Sequence, residues 1–128
     1  MPDSAGSSTP RKPPMQHDMS AAMRACVDAC QACRAQCLVT VAHGAESGGI
    51  LAAAAHLQVL LDCAALCAVT VDLLARGSVR HRELCRVCAD ACRACEASCR
   101  QMPHGSTVAR CAELCAACAD ACETVAAA

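Results

Sequence analysis

Thiols at helical spacing dominate the chemistry this chain can do: Cys26, Cys30, Cys33 and Cys37; Cys63 and Cys67; Cys85, Cys88, Cys92, Cys95 and Cys99; Cys111, Cys115, Cys118 and Cys122. An α-helix turns about 100° per residue, so steps of three and four keep successive side chains within roughly 60° of one another. Each of the four segments therefore carries a stripe of sulfur along one face. Stripes that converge build a tube of soft ligands, and soft-metal binding is the chemistry that suits it.

Geometry and charge narrow the metal. Zinc closes a tetrahedron of four ligands, usually from knuckles or loops that wrap one ion, and long stripes on rigid helices do not wrap. Iron–sulfur clusters draw four cysteines from a loop run, a spacing absent here. Cu(I) accepts two or three sulfurs and lets each thiolate bridge two ions. One Cu(I) per thiolate also leaves a neutral interior, whereas each isolated zinc tetrathiolate buries two negative charges at considerable cost. The bland alternative is a core in which cysteine is only a small hydrophobe. Cysteine at nearly every inward position, however, leaves the bundle axis underfilled, and voids destabilise a core. A disulfide network is disfavoured, because thiols on successive turns of one helix meet the S–S torsion awkwardly.

Four helices must position these stripes. Residues 1–17 are rich in Pro, Ser and charge and read as a disordered tail, leaving 18–128 as one bundle domain. The first helix is expected from an N-cap at Ser20 to His43, with Gly44 in the left-handed C′ position and Glu46, Ser47, Gly48 and Gly49 as a loop. The second runs from about Ile50 to Arg76 and is closed by Gly77. The third starts near Ser78 and ends before Pro103; the fourth follows Gly105-Ser106-Thr107 and continues to about Ala126. Short connections make neighbours antiparallel, which predicts an all-α, up-down-up-down four-helix bundle with a Cys-lined core. The second helix is apolar nearly all round. Asp62 and Asp72 interrupt it before any uncharged run reaches the ~18 residues of a membrane span. Burial on two sides, one inward and one against another subunit, is the expected use of such a helix.

Counting from the end that holds the first and third connections places Cys37 with His56, Cys99 and Cys111. Below come Cys33 with Leu60, Cys95 and Cys115, then Cys30 with Cys63, Cys92 and Cys118. Furthest down lie Cys26, Cys67, Cys85, Cys88 and Cys122. His56 continues the spacing of Leu60, Cys63 and Cys67 and so stands at a thiol position. An inert core does not predict a histidine there. His43, at a helix C-terminus, is accounted for by the macrodipole alone. It nonetheless shares its end with His56, Met102 and His104, which marks that end as the expected metal entrance. Met15, His17, Met19, Met23 and His81 gather at the opposite end.

Composition excludes other classes. Eleven basic and twelve acidic residues, with no basic block and no Phe, Tyr or Trp, exclude a nucleic-acid or membrane partner. The chain shows no Ser/His/Asp constellation, phosphate loop or paired carboxylates, so it does not read as an enzyme. The cysteine count is odd, its spacing is helical, and Met1 to His17 lacks an apolar signal core. These features point to a reducing cytosol, where free thiols persist.

The CxxxCxxCxxxC motif of Cys26 to Cys37, its repeat from Cys111 to Cys122, and the five-Cys run from Cys85 to Cys99 resemble the cytosolic branch of the four-helix-bundle copper storage proteins. The resemblance covers roughly residues 20–126. It implies many Cu(I) ions held by bridging thiolates, a homotetramer of bundles, and a role in storage or detoxification; a copper chaperone or small-molecule thiol is a further expected partner, as donor. Relatives place His after the last cysteine of the third helix and before the first of the fourth. Here Met102 stands where a His is usual, His104 sits in the loop, and Arg110 precedes Cys111. In relatives an Asp or Asn before a second-helix cysteine can supply an oxygen, which makes Asp62 a further candidate ligand; a carboxylate at the edge of a subunit interface is the equally weighted alternative. Two other readings are a metallothionein-like zinc or cadmium buffer and a thiol redox sensor or scaffold.

Overall fold

The structure, a computed structural model, describes residues 19–128. Met15, His17 and the expected tail lie outside the described residues. Four helices follow in order: α1 (Ala21–Ser47), α2 (Ala54–Ala75), α3 (His81–Arg100) and α4 (Ser106–Ala127), with a 3₁₀ turn at Gly49–Ala52 between the first two. Ser20 caps α1 as its residue type predicts, its hydroxyl accepting the Met23 N–H at 3.1 Å. Gly77, at φ +65°, closes α2.

The α1–α2 connection differs from the sequence expectation. Helix α1 does not end at His43 but continues a further turn to Ser47, and Gly48 at φ +72° is its left-handed terminator. Gly44 is buried inside the helix, where a Cβ would overlap the Leu51 carbonyl of the 3₁₀ turn. It is glycine because another backbone segment approaches it. Residues 49–52, expected to open α2, form the turn instead, so α2 begins at Ala54. Helix α3 likewise starts at His81, while the Ser78 hydroxyl accepts the Arg80 N–H at 3.1 Å in the turn before it.

Each helix packs against its neighbours in sequence, and α4 closes against α1. Among the described residues neither diagonal pair, α1 with α3 or α2 with α4, approaches within 8 Å between Cα atoms. This square of antiparallel helices has the up-down-up-down topology. Polar tethers tie its sides together: Arg34 donates to the Ala64 carbonyl and Gln36 to that of Thr107, both at 3.2 Å. Arg93 of α3 reaches Asp120 at 2.6 Å and Glu123 at 2.9 Å on α4. Such exposed pairs contribute little each, on the order of 0–1 kcal/mol. The core is Leu60, Leu73, Leu74, Val108, Val125, a few alanines and the cysteines.

By length and composition α2 alone among the described helices could cross a membrane. In the bundle its inward stripe of His56, Leu60, Cys63, Cys67, Thr70 and Leu74 is buried, with Leu61 46% and Val69 38% exposed on the opposite side.

Candidate metal centre

All fifteen cysteines are buried, none more than 2% exposed, and all are free thiols. Their registers follow from the antiparallel packing. Across α1 and α4, Cys26 meets Cys122 at 3.5 Å between Sγ atoms, Cys30 meets Cys118 at 3.5 Å, Cys33 meets Cys115 at 3.7 Å, and Cys37 meets Cys111 at 3.9 Å. Across α2 and α3, Cys63 meets Cys92 at 3.6 Å and Cys67 meets Cys88 at 3.8 Å. These partners are those that counting along the sequence gives. The offset between the two pairs of helices is not. Cys63 lies beside Cys33 at 3.7 Å rather than level with Cys30. Helices α2 and α3 are therefore displaced by one turn relative to α1 and α4. The cause is the extra turn of α1 and the residues spent in the 3₁₀ turn.

The resulting sets form a chain. Cys26, Cys30 and Cys122 make one group; Cys30, Cys67, Cys88 and Cys118 the next; then Cys33, Cys67, Cys92 and Cys118; then Cys33, Cys37, Cys63 and Cys115; and last Cys37, Cys95, Cys111 and Cys115. Within each, all Sγ atoms lie within 4.8 Å of one another. Every group shares at least one thiol with the next. Cys85 extends the column beside Cys26 and Cys122 at one end, and Cys99 beside Cys95 and Cys111 at the other.

Opposite corners of the square also touch, Cys37 with Cys95 and Cys67 with Cys118, each at 3.9 Å. The axis is thus less open than the sequence suggested, because the helices draw in until sulfur meets sulfur. The spacing still suits a metal. With metal–sulfur bonds of about 2.3 Å, two thiolates on one ion stand about 4.0 Å apart when trigonal and about 4.6 Å when linear. Contacts of 3.5–3.9 Å need only side-chain adjustment to reach either.

The thiols share protons. Hydrogen bonds, from Cys115 above all, hold Cys33 and Cys111 below the ordinary thiol range, while Cys115 and Cys37 are pushed up, first through their bonds to Cys111. One thiol of a close pair ionises at its neighbour's expense. The column therefore loses all its protons only when cations replace them.

The non-thiol candidates separate into three groups. His56 is 4% exposed, and its Nδ1 lies 2.6 Å from the Ser98 hydroxyl of α3. Burial pushes its pKa down, partly opposed by Cys111, so the imidazole is neutral near pH 7 with Nε2 free of any hydrogen-bond partner among the described residues. Level with Ser98, it stands one turn above the Cys37 layer in which counting had placed it. Met102 is half-buried against the core, and together with His104 and Cys99 it lines a cleft of about 310 Å³ at the α3–α4 connection. His43 is exposed on α1. Asp62 is not brought to the column; it is exposed in a groove between α2 and α3 with Val59, Leu66 and Asp90.

Two stripe positions escaped the sequence reading. Thr40 follows Cys37 by three residues and Thr70 follows Cys67 by three, and both are buried. The spacing itself was the available signal, since threonine simply continues the stripe.

The copper storage protein family profile matches residues 14–127. A protein of Nitrosospira multiformis, Nmul_A1745, has a solved structure with a TM-score of 0.78 at 34% identity, covering 83% of this chain and 95% of that one. The Cu(I)-bound copper storage protein BsCsp3 gives 0.77 at 28% identity, covering 82% of this chain and 98% of its own. An uncharacterized cysteine-rich protein of Bacillus subtilis, YhjQ, is 33% identical over 93 residues, which is 70% of this chain and 80% of that protein. The chain, with its column of fifteen free thiols inside a four-helix square, belongs to the copper storage protein family.

Proposed function

We propose that the chain stores Cu(I), many ions per bundle, on bridging thiolates along the axis, and does so in the cytosol without catalysing a reaction. The sharing of thiols carries this reading. Cys30, Cys33, Cys37, Cys67, Cys115 and Cys118 each belong to two neighbouring groups, so separate zinc tetrathiolates cannot fill the column together. Bridging by Cu(I) uses the same sharing. A redox sensor needs an exposed, acidic thiol with a resolving partner, and every thiol here is buried. Free thiols at contact distance suit a reducing compartment.

The fifteen cysteines are the proposed ligands. His56 stands above them as a neutral nitrogen ligand, and Met102, His104 and His43 mark the entrance. Asp62, on the outer face, belongs instead to a subunit contact. Leu38, Leu61, Val69 and Val87 are exposed, and grooves on either side of α2 are lined by Ala65 and Leu66 on one flank and Ala68 and Val71 on the other. That surface fits assembly into a tetramer of bundles.

Titration of the fully reduced protein with Cu(I) against a competing chelator tests the storage reading. Binding on the order of one Cu(I) per buried cysteine is expected. Saturation at one or two ions per chain would sink it.

A further inference from the structure

The column's lower end is closed by a residue of different chemistry. Continuing the α2–α3 register one turn beyond Cys67 and Cys88 brings Thr70 level with Cys85, and continuing α1–α2 beyond Cys33 and Cys63 brings it level with Cys26. Cys26, Cys85 and Cys122 interact with one another there. By register, Thr70 occupies the fourth corner of a layer whose other three corners are thiols.

Thr70 is fully buried, and its Oγ1 is the one fully enclosed side-chain oxygen or nitrogen among the described residues with no hydrogen-bond partner. Threonine in a helix ordinarily satisfies its hydroxyl by donating to the carbonyl four residues back. Thr40 does so to Gln36 at 2.7 Å and Thr124 to Asp120 at 2.9 Å. Thr70 does not, although it has most need of a partner. Buried hydroxyls without partners are destabilising, and those that persist require an explanation. A buried hydroxyl at the level of three thiols, none of them its hydrogen-bond partner in the metal-free protein, gains a strong acceptor when copper binding fixes one of them as a thiolate within its reach.

We infer that Thr70 is a positioning residue for the terminal copper site: when Cys26, Cys85 and Cys122 take up Cu(I), its hydroxyl donates a hydrogen bond to one of their thiolates. The layer has three sulfurs where the next has four, so fewer thiols share its negative charge. A neutral donor fixed on α2 stabilises that charge without competing for the metal. In the metal-free protein the same hydroxyl is a liability. This role rests on the storage reading and adds to it an end site whose affinity depends on an oxygen donor.

Thr70→Val removes the hydroxyl at nearly constant volume, and Thr70→Ser keeps it. Two measurements are made on each: thermal unfolding of the reduced metal-free protein, and Cu(I) titration against a chelator followed by thiolate-to-copper charge-transfer absorption. The valine variant is expected to melt higher without metal, by roughly 4–8 °C. It should hold about one Cu(I) per chain about tenfold more weakly. Serine should match the native protein in both. A valine variant that melts no higher, or whose titration superposes on the native curve, overturns the inference, as does a serine variant that behaves like valine. The native curve separates this failure from that of the storage reading. Many ions bound by the native protein with no effect of valine rejects Thr70 alone, whereas one or two ions bound by the native protein rejects storage itself.

Discussion

At the scale of single residues, identity matters less than position on the stripe. Cysteine, histidine and threonine all occur at inward positions, and each contributes what its side chain can offer there. His56 is the clearest case. With burial keeping the ring neutral, the tautomer whose Nδ1–H donates to Ser98 carries its lone pair on Nε2, which suits His56 to its proposed role as a soft-metal ligand above the thiols. His56→Ala is accordingly expected to lower capacity by about one Cu(I) or to weaken the uppermost cluster. The pair Met102→Leu with His104→Ala should act differently, slowing uptake or chelator removal while leaving capacity almost unchanged, because the thiols below carry the binding. Stopped-flow uptake and equilibrium titration of both variants check this. A double variant loading at the native rate would move the entrance to the opposite end, where Met19, Met23 and His81 lie. Sequence made the thiol stripes and His56 legible because helical spacing alone decides which positions face inward. Asp62 was also readable in retrospect: it adjoins Cys63, about 100° round the helix, and so falls on the outer face.

At the scale of elements, the pairings of α1 with α4 and of α2 with α3 could be read by counting, since antiparallel neighbours joined by short loops have little freedom of register. The one-turn offset between the two pairs could not. It depends on whether Gly44 ends a helix or admits a close neighbour, and glycine serves both purposes for the same reason, the missing Cβ. The 3₁₀ turn is equally silent in sequence, because Ile50, Leu51 and Ala52 would suit the first turn of a helix. Helix α2 is the element with most left to explain, having one face in the sulfur column and Leu61 and Val69 on the other. Leu61→Glu with Val69→Glu is expected to break the proposed tetramer into single bundles without loss of helicity or copper capacity. Sedimentation and circular dichroism would show this. A native protein that already sediments as one bundle contradicts the assembly.

At the scale of the whole molecule, the bundle solves a charge problem. Fifteen thiols packed at contact distance in a dry interior cannot all ionise unless an equal positive charge enters with them. Monovalent soft cations supply that charge one per sulfur, and the six thiols shared between neighbouring groups along the axis are placed to serve two ions each. Four rigid helices with little aromatic or aliphatic bulk between them set the contact spacing before any metal arrives, so loading is expected to move side chains rather than the fold. Loaded with copper, the bundle should therefore hold a continuous, bridged column rather than a row of separate sites. X-ray absorption of the anaerobically loaded protein tests it most directly. The expected result is an almost purely sulfur coordination shell around copper at low coordination number, together with a short copper–copper path that only shared thiolates produce. A coordination shell of four sulfurs per ion with no copper–copper path would contradict the bridged column.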